Sequence, residues 1–269
     1  MNTVDFKKDS VIKSSGFQDQ AKEPADAVTI NLKSSSSNLT SANPSPPIKS
    51  MVEPNYLSFE QLKSHNIIYP FSENTKMVDQ YRELRTSLLE LYGNKNKITM
   101  VCSVLPGGGS THVAVNLAAA FAFDEMKTAL LMDCNLRNSA LAERLYVDAD
   151  AGLTDFLHEE VMGIDNIIYP TGIARLRLIP TGKSTNIAPE HFTSNRMRDL
   201  LDLLKDRYQD RYIFLDAPPL TYSADAKILA GLCDHILLVV PYGRVLESQL
   251  EATLNVIGKD KIAGVILNQ

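Results

Sequence analysis

Tryptophan is absent from this 269-residue chain, and cysteine occurs only three times. Cys102, Cys134 and Cys233 all lie in or beside apolar segments. They are expected as buried free thiols of a cytoplasmic protein, not as a disulfide framework. No spacing links them to the five histidines as a metal-ligand set. Basic blocks are missing too: 27 Lys and Arg against 32 Asp and Glu leave a net charge of −5. That balance argues against nucleic acid as the main partner. No apolar run reaches the roughly 20 residues of a membrane-spanning helix. Met1 to Ser10 is too polar for a signal peptide. What is present, 44% hydrophobic residues, suffices for one large core.

Residues 1–54 differ from the rest. Ser34-Ser35-Ser36-Ser37 and Asn43-Pro44-Ser45-Pro46-Pro47 offer little apolar surface to offset ordering entropy, so a disordered Ser/Pro-rich tail is expected. A folded domain is expected over 55–269. It opens with a mixed stretch to about residue 70 and a helix over 75–91, where Met77, Tyr81, Leu84, Leu88 and Leu91 recur at helical spacing. Asp79, Arg82 and Arg85 share one side of that helix, and Gly93-Asn94 ends it. Beyond it, strands at 98–103, 128–133, 174–179, 212–216, 235–240 and 262–267 alternate with helices at 111–124, 138–146, 189–207, 223–232 and 245–257. Apolar strands alternating with helices predict an α/β fold: a mostly parallel sheet covered on both faces.

The first strand runs into Pro106-Gly107-Gly108-Gly109-Ser110-Thr111, and a helical pattern runs out of it. Strand, glycine loop and helix N-terminus make an anion site, because loop amides and the helix dipole point at the same place. The usual phosphate loop is G-x-x-x-x-G-K-[ST]. Here Gly109 fills the second glycine, Ser110 stands where lysine belongs, and Thr111 takes the hydroxyl position. His112 and Arg137 are the candidates to restore the missing charge. Their plainer roles are a local hydrogen bond for His112 and a surface salt bridge for Arg137.

Two carboxylates end apolar strands. Asp133 closes Ala129-Leu130-Leu131-Met132, and Asp216 closes Tyr212-Ile213-Phe214-Leu215 before Ala217-Pro218-Pro219. The C-terminal strand edge is where open α/β sheets bind ligands. Both aspartates are expected to serve catalysis and, with Thr111, to hold Mg²⁺. For Asp133 the alternative is a cap on the following turn. Asn268, after the last strand, suits either a base edge or a turn. Gly182-Lys183-Ser184 resembles the end of a phosphate loop, but Arg177 occupies the place of its earlier glycine, so a surface turn is expected.

Taken in order, these segments resemble the bacterial tyrosine kinases, MinD-like P-loop proteins of capsule and exopolysaccharide synthesis. Asp79 to Thr86 is similar to the family's E-x-x-R-x-x-R helix, with aspartate first. Ser103 to Ala118 aligns with the loop P-G-E-G-K-S-T and the following N-L-A, here Asn116-Leu117-Ala118. Leu130 to Arg137 resembles the Walker A′ motif D-x-D-x-R, and Phe214 to Pro219 the Walker B segment. Ile187-Ala188-Pro189-Glu190 resembles N-P-x-E, and Gly264 to Asn268 the closing strand. The resemblance implies a P-loop fold, ATP with Mg²⁺, tyrosine autophosphorylation and control of polysaccharide length or export. It implies a nucleotide site at Gly107, Gly108, Gly109, Ser110, Thr111, His112, Arg137 and Asn268. It implies a homo-oligomer through Asp79, Arg82 and Arg85, and a membrane-bound activator of the chain-length-determinant type, expected as a separate polypeptide.

Three departures bear on phosphoryl transfer. Ser110 replaces the loop lysine, Asn135 replaces the second Walker A′ aspartate, and no tyrosine follows Tyr242 where the family carries a C-terminal cluster. Charge neutralisation carries much of such catalysis. The expectation is therefore a cytoplasmic regulatory or scaffolding homologue with weakened or lost kinase activity. A working kinase with a non-lysine loop is the second reading. A MinD-like positioning ATPase is the third.

Overall fold

The computed structural model describes residues 29–32, 51, 53–93, 95–159, 162–183, 188–207, 210–221 and 223–269. Asn94, Ser184 and Ile187, named above, lie outside the described residues, as does the serine and proline run of the tail. The elements are β1 (Thr29–Leu32), α1 (Phe59–Ser64), α2 (Thr75–Tyr92), β2 (Ile98–Ser103), α3 (Ser110–Ala122), β3 (Thr128–Asp133), α4 (Leu141–Arg144) and α5 (Leu153–His158). There follow β4 (Tyr169–Pro170), β5 (Leu176–Ile179), α6 (Ala188–Thr193), α7 (Asn195–Arg207), β6 (Arg211–Asp216), α8 (Ala224–Leu232), β7 (His235–Pro241), α9 (Glu247–Ile257) and β8 (Ile262–Asn268).

One sheet takes the order β1-β8-β7-β2-β6-β3-β5-β4, parallel except at its two ends. This is the α/β arrangement expected. Its inner strands are buried on both sides, which is why they read as unbroken apolar runs. Side chains still alternate. Met100, Cys102, Leu130, Met132, Ile213, Leu215, Ile236 and Leu238 enter one core; Val101, Ala129, Leu131, Phe214, Leu237 and Val239 enter the other. Helix α3 covers the second face. Its Ala118-Ala119-Ala120 run lets it lie close to the sheet, and α2 packs over it.

Several element bounds differ from expectation. The helix expected over 189–207 is two helices broken at Ser194, whose hydroxyl accepts from the Met197 amide and restarts the chain. The helix expected over 138–146 shrinks to Leu141–Arg144. On α2 the buried stripe is Val78, Tyr81, Leu84, Leu88, Leu89 and Tyr92, with Met77 and Leu91 only partly covered. The stripe is thus rotated by one residue at both ends from that read in the sequence. Thr29–Leu32, within the expected tail, pairs antiparallel with β8. The buried Glu53 carboxylate pairs with Arg177 and accepts from the Gly172 amide, joining that end of the chain to the β5 edge.

Strand order reverses direction at β2, which has β6 on one side and β7 on the other. At such a switch point the chain leaves a crevice beyond the strand ends. The glycine loop and both strand-end aspartates lie there.

Candidate functional site

The loop follows β2 directly and ends as α3 begins at Ser110. Two of its glycines hold backbone angles that other residues avoid: Gly107 has φ of +66° and Gly109 +87°. Gly108 is required for space, since an added Cβ would stand 2.6 Å from the Ser103 Cβ. Gly109 is doubly constrained, because its added Cβ would meet Asn268 Nδ2 at 2.2 Å. Three successive loop carbonyls are held from the β7–β8 side. Arg244 Nη2 donates to Pro106 O (3.2 Å), Arg244 Nη1 to Gly107 O (3.1 Å), and Asn268 Nδ2 to Gly108 O (3.0 Å). Across a trans peptide the carbonyl and the next amide point opposite ways. The amides of Gly107, Gly108 and Gly109 therefore face away from these donors, as a concave nest at the N-terminus of α3.

Asp133 and Asp216 stand in register on neighbouring strands. Asp216 is buried, and its carboxylate bonds the Thr111 hydroxyl on the first turn of α3. Its Oδ1 is buried without a hydrogen-bond partner among the described residues. Burial, with the charge of Asp133 beside it, pushes its carboxyl up to about 8; Thr111 and the nearby Arg144 act in the opposite sense. Asp133 is also fully buried but is well satisfied. Oδ1 accepts from the Asn135 amide (3.1 Å); Oδ2 accepts from Ser139 Oγ (2.9 Å) and from the amides of Ala140 and Leu141 (both 3.3 Å). Burial raises its carboxyl and these bonds hold it back. Asp133 thus caps the turn into α4, while an open carboxylate oxygen is found on Asp216. Among the described residues no three His, Cys, Asp or Glu gather as a metal cluster. Magnesium needs none, since it usually takes one or two carboxylates and completes its shell with phosphate and water.

Tyrosine-protein kinase CpsD of Streptococcus pneumoniae serotype 4 is 30% identical over 201 residues, 73% of this chain and 86% of that protein. The chain belongs to the bacterial tyrosine kinases. The kinase domain of VpsO superposes with a TM-score of 0.65 at 27% identity, covering 75% of this chain and 99% of that one. The cell-division ATPase MinD of Pyrococcus furiosus shares the fold, with a TM-score of 0.53 and 24% identity over 63% of this chain and 69% of that one. No family model matches the chain.

Against this bacterial tyrosine kinase frame, the two residues considered as substitutes for lysine have other partners. His112 lies against the Asn116 amide, one turn along α3. Arg137 pairs with the buried Asp225 at 3.6 Å and is otherwise mostly exposed. Asn268 grips the loop, and its carbonyl accepts from the Tyr242 amide (2.7 Å). On α2, Asp79 and Arg82 pair on the surface at 3.2 Å, whereas Arg85 turns inward to the Ala120 carbonyl (2.9 Å). Lys183 is exposed at a turn where Gly182 has φ of +82°, near Asp155 at 3.7 Å; it follows β5, which lies three strands from β2 in the sheet. Cys102, Cys134 and Cys233 are buried free thiols, pushed up by burial and so inert.

Sequence reading missed Arg244 and understated Asn116. Asn116 Oδ1 accepts from the Ile68 amide (2.7 Å) and Nδ2 donates to Asn66 O (3.1 Å), tying the 66–68 segment to α3. A buried asparagine in an alanine-rich helix was the available signal. Arg244 had only Gly243 beside it, a turn glycine with φ of +68°.

Proposed function

We propose that this protein is a regulatory or scaffolding bacterial tyrosine kinase homologue in capsule or exopolysaccharide synthesis, with weakened autokinase activity. The observation that carries this reading is a divided site. Asp216 keeps an unsatisfied buried oxygen beside Thr111, while Ser110 leaves the first turn of α3 without the usual lysine. Thr111 and Asp216 suit Mg²⁺, and the amides of the glycine loop suit the phosphates of ATP. When bound, Mg²⁺·ATP supplies the phosphoryl group and part of its charge neutralisation. The chain contributes the nest that orients the phosphates and the carboxylate that fixes the metal side. Asp133 shapes the neighbouring turn. The missing ammonium removes a contact of the kind worth about 100- to 1,000-fold in rate.

The exposed Asp79 and Arg82 are proposed to contribute to a homo-oligomer, and a membrane-bound chain-length-determinant-type protein to recruit it to the inner face of the plasma membrane. Among the described residues no helix is long and apolar enough to cross a membrane. A working kinase is the second reading, supported by the retained Asp216–Thr111 pair.

Transfer of labelled phosphate from ATP to protein tyrosine tests the two. Weak transfer by the native protein, a marked rise in Ser110→Lys, and its loss in Ser110→Lys/Asp216→Ala are expected. Transfer by the native protein equal to that of Ser110→Lys would establish the second reading instead.

A further inference from the structure

The missing lysine has a counterpart elsewhere in the fold. Arg244 sits on the turn after β7, where Pro241 ends the strand, Gly243 takes a positive φ, and the Arg244 amide closes back on Pro241 O (3.3 Å). That turn sets the guanidinium against the glycine loop from outside. Two of its five N–H groups hold the carbonyls of Pro106 and Gly107. No carboxylate pairs with it among the described residues, so its charge is not neutralised nearby. Asn268 holds the next carbonyl, Gly108, and also accepts from the Tyr242 amide, so the clamp and the turn that carries Arg244 are one hydrogen-bonded unit.

We propose that Arg244 presets the glycine loop for polyphosphate and supplies from its opposite face part of the positive charge that the absent loop lysine would bring, with Asn268 as its neutral companion. Its ligand is the polyphosphate of a nucleotide bound in the nest, so the proposal rests on the nucleotide reading above. Arg244 acts as a positioning residue. By fixing the carbonyls outward it sets the amides of Gly107 and Gly108 toward the anion before the anion arrives. By adding a positive charge on the carbonyl side it strengthens the polarity of those peptides, which point their N–H ends at the ligand. A second, independent sign that the nest is built for a ligand is the unsatisfied Asp216 oxygen beside Thr111, the kind of group a phosphate-bound cation would satisfy.

A lysine inside the loop touches the transferring phosphate, whereas Arg244 reaches the loop from behind. The arrangement therefore favours binding over phosphoryl transfer, which agrees with a homologue that senses nucleotide more than it consumes it.

The test is calorimetric titration of the full chain with Mg²⁺·ATP, inorganic tripolyphosphate and adenosine. In Arg244→Ala, affinity for ATP and tripolyphosphate is expected to fall about tenfold, because the loop amides lose their preset orientation and the charge behind them. Adenosine should be unaffected. Arg244→Lys should keep most of the affinity and its salt dependence. Arg244→Gln, which keeps donors without charge, should fall between and lose part of the salt dependence. Ser110→Lys should restore polyphosphate affinity in the Arg244→Ala background. Thermal melts of the variants at the exposed Arg244 should stay near native. Equal ATP affinity in the native protein and Arg244→Ala would overturn the inference and leave the nucleotide reading standing. Binding of ATP by Ser110→Lys but not by the native protein would overturn it in the same way. If neither the native protein nor Ser110→Lys binds any of the phosphates, the nucleotide reading falls and this inference with it.

Discussion

Asp133 and Asp216 end neighbouring strands at the same register, both buried, both after apolar runs, yet their surroundings divide them. Around Asp133 the chain folds back through Asn135, Ser139, Ala140 and Leu141, and four donors reach its two oxygens. After Asp216 the chain cannot do this. Ala217 sends its amide to Val101 O, and Pro218 and Pro219 have none to offer. The oxygens of Asp133 are thereby satisfied by the turn into α4, and Asp216 keeps one buried oxygen without a partner among the described residues. Equal position on a sheet edge does not confer equal chemistry; the next few residues decide it.

The contrast can be broken most severely at Asp133. Asp133→Ala would strand buried donors and uncap the α4 turn, and should destabilise by about 3 kcal/mol, from unsatisfied buried groups at about 1–3 kcal/mol each. Urea unfolding measures this, and a loss below about 1 kcal/mol would contradict the capping role. Asp216→Asn should leave the fold intact but weaken Mg²⁺·ATP binding at least tenfold, or about 1.4 kcal/mol, by calorimetry. Unchanged binding would remove Asp216 from the metal side.

Next comes Gly109→Ala, which forces an L residue to φ of +87° and into Asn268. It should cost about 1–2 kcal/mol and lower polyphosphate affinity, the first read by thermal melt and the second by titration. A melt unchanged from native would mean that Asn268 gives way freely.

A smaller effect sharpens the comparison through pH. The fold favours neutral Asp216, since its carboxyl is raised from an ordinary 3.8 to about 8. Stability from this group is full below about pH 4 and is lost as pH rises toward about 8. The native melting temperature should decline across that window, and the decline should be shallower in Asp216→Asn. Identical slopes would show that Asp216 is not the group responsible.

The smallest expected effect lies on α2. Arg82→Ala breaks only an exposed pair with Asp79 and should change stability by less than about 0.5 kcal/mol, while lowering any oligomer mass seen by light scattering. Arg85→Ala, which strands the Ala120 carbonyl, should cost more stability. An unchanged mass in Arg82→Ala would count against that face as an interface.

Much of the fold was legible because its signals are local. Strands β2 and β3 fall where their apolar runs place them, since a strand buried on both faces must be apolar throughout. The glycine loop was legible because only glycine meets its angles and clearances. Less legible were short elements such as α1 and α5, whose six residues each carry too few turns for a periodic signal. The break at Ser194 was hidden for a related reason: serine stops a helix only when its hydroxyl finds the right amide.

Read alone, the chain carries the order of six of the eight strands, the switch-point loop, the two strand-end aspartates and the absence of lysine at position 110. These follow from periodicity, backbone restriction and side-chain chemistry, all readable within a few residues. Folding alone satisfies Asp133 while leaving Asp216 with an open oxygen, turns Arg85 inward, and brings Arg244 and Asn268 to clamp the loop from 137 and 160 residues away. Such contacts depend on how strands separated in the chain become neighbours in the sheet, and no local pattern encodes a partner so distant.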